Sequence, residues 1–172
     1  MNDSFILRDR KWRETNERVT LSSYAMLSEE SKGRFKKEDQ DPFRTVFERD
    51  RDRIIHSKTF RRLKHKTQVF INPDGDHFIT RMTHTLNVTQ IGRSIAKTLG
   101  LNPDLTEAIC LGHDVGHSPF GHTGEEVLND MLDGGWSHSE NSVKMLSIIE
   151  PLNLTKETIN GIEKHPWKYE EP

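Results

Sequence analysis

The sequence predicts an all-α, mainly helical protein with one small β-hairpin near residues 67–80. Apolar residues recur at helical spacing along most of the chain, which is typical of amphipathic helices. Proline follows Asp41 and Asn102, two candidate N-caps, and proline is favoured at the first helical position. Residues 67–71 (TQVFI) are typical of a strand, and the turn sequence NPDGD follows them. These three observations favour helices throughout, with a single hairpin.

Along the chain, residues 1–41 form an N-terminal segment that ends in a polar, exposed loop from Ser28 to Asp41. A helix is predicted from Asp41-Pro42 to about Leu63, with room for a break. After the hairpin, a helix from about Thr80 to Leu99 is expected to be capped by Gly100. It carries one stripe that we expect to face the core: His84, Val88, Ile91, Ile95 and Leu99.

Four further helices follow from their start and stop signals. One begins at Asn102-Pro103 and reaches His113. Thr123, with Glu126 three residues later, resembles a capping box for the next helix, which Gly134-Gly135 ends. The last two helices run from Ser137 or Ser139 to Ile149 and from Thr155 to about Lys164.

Composition excludes two classes of protein. The 172 residues contain no apolar run near the roughly 20 residues that a bilayer span requires. The N-terminus lacks the order of a secretory signal. Cys110 is the single cysteine, which fits a reducing compartment. We therefore expect a cytoplasmic protein without membrane partners.

The densest basic stretch, Arg44–Lys66, holds nine Lys and Arg residues against three acidic ones. Such an excess favours an anionic partner, either a phosphorylated small molecule or single-stranded nucleic acid. The plainer interpretation is a solvated helix face with intrahelical ion pairs.

The most informative segment is GHDVGHSPFGH, residues 112–122, which places three histidines and an aspartate at a predicted helix end. Adjacent His113 and Asp114 lie about 100° apart on a helix, yet both can reach an ion beside its terminus. Imidazole and carboxylate ligands suit Mn, Fe, Ni, Zn or Mg. His84, on an apolar stripe, is either a core histidine bonded to a carbonyl or a further ligand of that ion.

Two long blocks carry a family resemblance: RDRDRIIHSKTFRRLKHKTQVF at 49–70 and GHDVGHSPFGHTGEE at 112–126. The chain from about Pro42 resembles the deoxyguanosinetriphosphate triphosphohydrolase-like branch of the HD-domain phosphohydrolases. The resemblance implies that residues 42–172 form the N-terminal portion of an HD domain, incomplete relative to the family. It also implies cleavage of a dNTP into deoxynucleoside and inorganic triphosphate.

The resemblance assigns a role to each matching residue. It implies a divalent metal held by His84, His113 and Asp114, and a catalytic pair formed by His122 and Glu125. The remaining implied contacts are to substrate: His117 to the triphosphate, Arg81 and His138 to the α-phosphate region, and Gln68 to the deoxyribose. The family's fourth metal ligand, a distant Asp, has no counterpart in this sequence. The other histidines are expected to be surface or structural residues: His56, His65, His77 and His165.

The leading hypothesis is therefore a metal-dependent dNTP triphosphohydrolase, with Mn, Mg, Ni, Fe or Zn as cofactor. One alternative is another HD-type nucleotide phosphohydrolase, such as a nucleotidase or cyclic-nucleotide phosphodiesterase. A second is a non-catalytic module that binds dNTP or nucleic acid. The family is commonly oligomeric, so the resemblance also implies a homo-oligomeric partner.

Overall fold

The structure is a computed structural model that describes residues 7–66 and 79–166. Within these ranges the chain forms eight α-helices: α1 Arg10–Thr20, α2 Val46–His56, α3 Lys58–Arg61, α4 Arg81–Thr98, α5 Pro103–Gly112, α6 Gly121–Met131, α7 His138–Lys144 and α8 Lys156–Lys164. Short 3-10 turns span Ser28–Glu30 and Arg62–His65, and a π-helical turn, Met145–Ile149, extends α7. The mainly helical prediction is confirmed. None of these helices combines the length and hydrophobicity that crossing a bilayer would require.

The predicted hairpin lies outside the described residues, apart from Ile79 and Thr80. The described ranges contain no strand, and they pair Arg34 with Thr155 in an isolated antiparallel bridge.

Local capping chemistry moves two helix starts away from their predicted places. Asp41 accepts bonds from the amides of Phe43 and Arg44 in a turn, and α2 begins only after Thr45. Thr45 and Glu48 form the capping box there. Likewise α6 begins at Gly121 rather than after Thr123, because Phe120 turns the chain with φ +67°.

The other helices begin close to the predicted positions. The side chains of Thr80, Asn102 and Thr155 cap α4, α5 and α8, and Ser137 precedes α7. The break predicted in the basic helix falls at Ser57, whose hydroxyl accepts the amide of Phe60 and so starts α3.

Helix α5 is the centre of the molecule, since it packs against α2, α4 and α8. The main core cluster consists of buried aliphatic and aromatic residues from these elements and their neighbours: Ile54, Phe60, Leu63, Ala108, Leu111, Val115, Leu146, Leu154 and Ile162. Val115 directly follows Asp114 and is 1% exposed. The burial of Val115 fixes the end of α5 against the core, and with it the positions of His113 and Asp114.

The buried face of α4 is not the predicted one. Ile91, Ile95 and Leu99 are 62%, 54% and 60% exposed. The adjacent face of the helix is buried instead, and apart from Arg81 its residues are small: Arg81, Thr85, Thr89 and Ala96. It lets α4 approach α5 so closely that a Cβ at Gly92 would lie 2.9 Å from the Cys110 sulfur. The close packing of α4 on α5, rather than the spacing of the aliphatic residues, therefore determines which face of α4 is buried.

The predicted exposed loop is tied into the core at Arg34. Its side chain is 6% exposed and forms an ion pair with the fully buried Asp50 of α2. Asp50 also accepts the Thr155 amide at 2.8 Å and the Thr158 hydroxyl at 2.8 Å. Burying a carboxylate requires this many partners. The loop, α2 and α8 are thereby joined.

Much of the basic stretch is neutralised within the chain. Arg44 pairs with Asp41 and Asp52, Arg51 with Asp104, and Arg53 with Glu38. All of these pairs except Arg44–Asp41 join residues eight or more positions apart in the sequence, and together they leave fewer cations for an external anion.

Candidate metal centre

The close packing of α4 on α5 brings the three predicted metal ligands together. His84 lies in the first turn of α4, His113 caps the C-terminus of α5, and Asp114 follows it. Each offers one ligand atom, and these atoms lie within 4.8 Å of one another. Two imidazoles and a carboxylate at this separation suit a divalent ion with mixed nitrogen and oxygen ligands.

His113 is oriented for coordination by its own backbone neighbourhood. Its Nδ1 lies 2.7 Å from the Cys110 carbonyl oxygen, to which it donates. The tautomer that donates from Nδ1 leaves a lone pair on Nε2, as metal-binding histidines require. Burial lowers the pKa of His113, which favours this neutral form.

Asp114 is buried beside a guanidinium. The Nη1 atom of Arg81 donates to its Oδ2 at 2.8 Å, and His113 Nε2 lies 3.8 Å from Oδ1. Burial acts to raise the pKa of Asp114, but His113 and Arg81 outweigh it and hold the pKa below its usual value. The guanidinium of Arg81 thus contacts the Asp114 carboxylate, and the Arg81 side chain is only 3% exposed.

Beside this trio lies a cluster of further histidines. The ring of His117 stacks on that of His138 with centroids 4.7 Å apart, and the His122 ring is 5.1 Å from His117. Desolvation and the nearby Arg81 lower the pKa of His117 to about 4. His117 is therefore a neutral, buried imidazole near neutral pH.

Glu125 is shared by two histidines. Its carboxylate accepts from His138 Nδ1 at 2.9 Å and from the His138 backbone amide at 2.9 Å. The bond from His122 Nδ1 is longer, at 3.3 Å, and the His122 side chain is 79% exposed. Although burial opposes it, hydrogen bonding from His138 lowers the pKa of Glu125. Glu125 therefore lies beside His122, as predicted, but its hydrogen bonds to His138 are shorter.

Sequence reasoning missed His165. Its Nε2 lies 2.9 Å from Nε2 of His138, and its ring packs edge-on against His113 with centroids 5.1 Å apart. No local motif marks this histidine. It reaches the cluster because α8 packs against α5 and α7, a tertiary contact that residue spacing does not encode. Gln68 lies outside the described residues.

Lys66, the last residue of the basic stretch, lies beside the candidate metal centre. Lys66 Nζ donates to the carbonyl oxygens of Val115 and His117 at 3.2 and 2.7 Å. Burial lowers its pKa to about 8, so Lys66 carries charge at neutral pH. A pocket of about 270 Å³ opens here, lined in part by Arg62, Lys66, His117 and Trp136.

Comparisons with known proteins show which proteins the chain resembles. The family model described as "HD domain" matches residues 81–172. A protein of Caldanaerobacter subterraneus subsp. tengcongensis is 61% identical over 84% of this chain and 44% of its own length. Proteins of Clostridium tetani and Geobacter metallireducens are 58% and 49% identical, over 91% and 92% of the chain. All three are named deoxyguanosinetriphosphate triphosphohydrolase-like protein, and the chain spans less than half the length of each, at 43–46%.

Proposed function

The chain belongs to the HD domain family, and we propose that it provides the metal-binding portion of a dNTP triphosphohydrolase. The reaction would release deoxynucleoside and inorganic triphosphate. The convergence of His84, His113 and Asp114 beside a cluster of imidazoles carries the proposal. The substrate class is suggested by the name that the similar curated proteins carry.

The two imidazoles and one carboxylate would hold the metal. The donor set is compatible with Mn, Mg, Ni, Fe or Zn. When bound, a divalent ion supplies a Lewis acid that polarises a phosphoryl oxygen or lowers the pKa of a water ligand. Arg81 contributes by fixing the Asp114 carboxylate, and the Cys110 carbonyl fixes the His113 ring.

His122 is the proposed general acid. The 5′-oxygen of the deoxynucleoside is a poor leaving group unless it receives a proton as its bond to phosphorus breaks. The His122 ring is exposed and therefore accessible to substrate, and Glu125 accepts a hydrogen bond from its Nδ1. The carboxylate orients the ring, and the protonated imidazole is the form that donates a proton to the leaving group.

Cationic and imidazole side chains beside the metal centre would bind the phosphates. His117, Arg62 and Lys66 line one pocket there. Arg81 is already engaged by Asp114, so its contact with the α-phosphate region would be an additional bond. His138 next to His117 and Gln68 near the deoxyribose complete the proposed substrate contacts.

The test is product analysis with dGTP and the other dNTPs in the presence of Mn²⁺ or Mg²⁺. We expect inorganic triphosphate and deoxynucleoside, and a loss of about 10²–10⁴-fold in kcat in His122→Gln, the range for a general acid. His56→Gln, at an exposed histidine away from the site, is the matched control. Release of monophosphate or pyrophosphate would point to another HD-type phosphohydrolase.

A non-catalytic module that binds dNTP or nucleic acid is the remaining alternative. It draws on the basic stretch, where several arginines are already in ion pairs. Absence of any hydrolysis, together with salt-sensitive binding of single-stranded DNA that survives chelation, would favour it over the enzyme.

A further inference from the structure

We propose that Lys66 is a modification site, at which an acyl phosphate transfers its acyl group to the Nζ amine. Lys66 lies where the basic stretch meets the turn that follows α5. It lines the pocket of about 270 Å³ described above, together with Arg62 and Trp136. The proposal concerns the reactivity of one amine and does not depend on the proposed hydrolysis.

The first support is the hydrogen bonding of the amine. Lys66 Nζ donates to the carbonyl oxygens of Val115 and His117, at 3.2 and 2.7 Å. A lysine ammonium has three N–H groups, and loss of one proton leaves two of them together with a lone pair. The neutral amine can therefore keep both of these bonds while its lone pair is free to attack. The two carbonyls thus hold a nucleophilic amine in place.

The second support is the charge around the amine. Lys66 is half-buried, the cations of Arg62 and Arg81 act on it, and Asp114 opposes them. Burial and the two arginines together lower the pKa of Lys66 to about 8. His117, which contacts the amine through its carbonyl, is neutral near neutral pH because its own pKa is about 4. At pH 7.5 roughly a quarter of the amine is therefore neutral, against about one part in a thousand at an ordinary lysine pKa of about 10.4.

The third support is the guanidinium that shares the pocket. Arg62 is exposed and forms no ion pair within residues 7–66 and 79–166, whereas Arg51 and Arg53 earlier in the stretch do. A guanidinium binds phosphate through two parallel hydrogen bonds. One cavity therefore contains both an anion-binding group and a nucleophile.

These two groups define the class of reagent. The phosphate of an acyl phosphate fits the Arg62 guanidinium, and its carbonyl carbon is the electrophile that an amine attacks. The other walls include Leu128, Trp136 and Met145, whose apolar and aromatic side chains suit a short acyl chain. Sites for drug-sized ligands measure about 300–1,000 Å³, so this cavity suits a smaller donor such as acetyl phosphate.

The reaction balances without a cofactor. The lone pair of Lys66 forms a bond from Nζ to the acyl carbon, and the bond from that carbon to the phosphate oxygen breaks. Inorganic phosphate leaves with the electron pair beside Arg62, and the nitrogen loses one proton to solvent. The products are a neutral amide at Lys66 and inorganic phosphate.

Acylation would change the pocket in two ways. The amide nitrogen has a single N–H, so one of the two carbonyls, that of Val115 or that of His117, loses its donor. The pocket also loses a positive charge, which weakens its attraction for phosphate. Because Lys66 is among the proposed phosphate-binding groups, this second effect rests on the proposed function, whereas the modification itself does not.

Treatment of the untagged chain with acetyl phosphate at pH 7.5, followed by quantitative peptide mass spectrometry, tests the proposal. We expect Lys66 to be acetylated about tenfold faster than Lys64, an exposed lysine two residues away. The larger neutral fraction favours Lys66 by roughly two hundredfold, and the lower basicity of its nitrogen offsets part of that advantage. The rate at Lys66 should level off above about pH 8, whereas the rate at an exposed lysine keeps rising.

Arg62→Gln tests the role of the guanidinium, and Arg61→Gln makes the same change at an exposed neighbour outside the pocket lining. With acetyl phosphate, we expect Arg62→Gln to slow the acetylation of Lys66 about tenfold, as the loss of a charged hydrogen bond does. Arg61→Gln should stay within about twofold of the wild type, because its side chain does not reach the donor. With N-acetoxysuccinimide, an uncharged donor, the effect of Arg62→Gln should be smaller, because only the change in the Lys66 pKa remains.

Acetylation of Lys66 no faster than that of Lys64 would overturn the proposal, and this comparison needs no variant. Equal rates with acetyl phosphate in the wild type and in Arg62→Gln that is folded by circular dichroism would also overturn it. No nucleotide is present, so these results are separable from the proposed function. Fast acetylation of Lys66 without dNTP hydrolysis would refute the enzyme alone, and hydrolysis by a chain whose Lys66 reacts like Lys64 would refute the modification site alone.

Discussion

At the scale of single residues, the Arg81–Asp114 ion pair places two opposite charges in the protein interior. Both side chains are almost completely buried, and the pair joins the first turn of α4 to the end of α5. Removing one member of a buried pair leaves the other charge uncompensated, which costs far more than the pair itself contributes. Asp114 is thus both a proposed metal ligand and the counter-ion of Arg81.

We expect Asp114→Asn to lower the free energy of unfolding of the metal-free chain by about 3–5 kcal/mol, because it leaves the Arg81 charge buried without a counter-ion. Urea denaturation of the chelator-treated protein measures this. Asp130→Asn makes the same change at an exposed position and should stay within about 0.5 kcal/mol of the wild type. Equal stability of the two variants would contradict the buried pair.

His117 makes the metal-free chain sensitive to acid. Its pKa falls from 6.5 to about 4 on folding, so the unfolded chain binds a proton more readily between these values. Stability is therefore fully present above pH 6.5 and is lost as the pH falls towards 4. We expect His117→Asn to reduce this loss by about 1–3 kcal/mol in denaturation curves at successive pH values. A variant with an unchanged pH dependence would refute the assignment.

Sequence could identify most site residues because they lie in two dense blocks. His113, Asp114, His117 and His122 fall within ten residues, and their residue types alone indicate a metal or phosphate site. His165 could not be found this way, because its neighbours on the chain carry no related chemistry. Its place in the histidine cluster depends on where α8 packs.

At the scale of elements, the turn after α5 is held against α7 by a glycine. A Cβ at Gly116 would lie 2.1 Å from the Ser142 amide nitrogen. The Gly116 amide donates to the Ser142 hydroxyl at 2.9 Å, and Ser142 in turn donates to the His113 carbonyl. This close approach sets the distance between the proposed metal ligands and His138.

Gly116→Ala should therefore push α7 away from the turn and destabilise the chain by about 1–3 kcal/mol or more. Urea denaturation measures the loss of stability. Gly134→Ala is the control, because no atom lies within 4 Å of its Cβ position and its φ of +94° is the sole source of strain. A larger loss of stability in Gly134→Ala than in Gly116→Ala would argue against the close contact.

Helix positions were predictable where a side chain caps the helix, as Thr80, Asn102 and Thr155 do. The start of α2 could not be predicted in this way, because Asp41 and Thr45 can both cap a helix. Tertiary contacts determine which of the two does so. Arg13 of α1 binds Glu48, which stabilises the start at Val46. The buried face of α4 was mispredicted for a related reason: small residues permitted a closer contact with α5 than the aliphatic stripe would allow.

At the scale of the whole molecule, one long helix face has no partner among the described residues. Ile91 and Ile95 are exposed, and with Asn87, Gln90 and Ser94 they line an open depression on α4. Contiguous exposed apolar surface of this kind promotes association.

We expect Ile91→Ser and Ile95→Ser to reduce the fluorescence of a bound hydrophobic dye. They should change the free energy of unfolding by about 0.5 kcal/mol or less, because the side chains are already in water. Ala96→Ser on the buried face of the same helix should instead destabilise the chain, since it buries a new hydroxyl. A large loss of stability in both isoleucine variants would show that the stripe is packed.

The anchoring of Asp50 has a consequence for biosynthesis. Its partners Thr155 and Thr158 lie more than 100 residues further along the chain. A polypeptide leaving the ribosome therefore exposes this carboxylate, together with the arginine that pairs with it, long before α8 has been translated. The contacts of His165 with His138 and His113 likewise form only after α8 has been translated, so the histidine cluster is incomplete until that point.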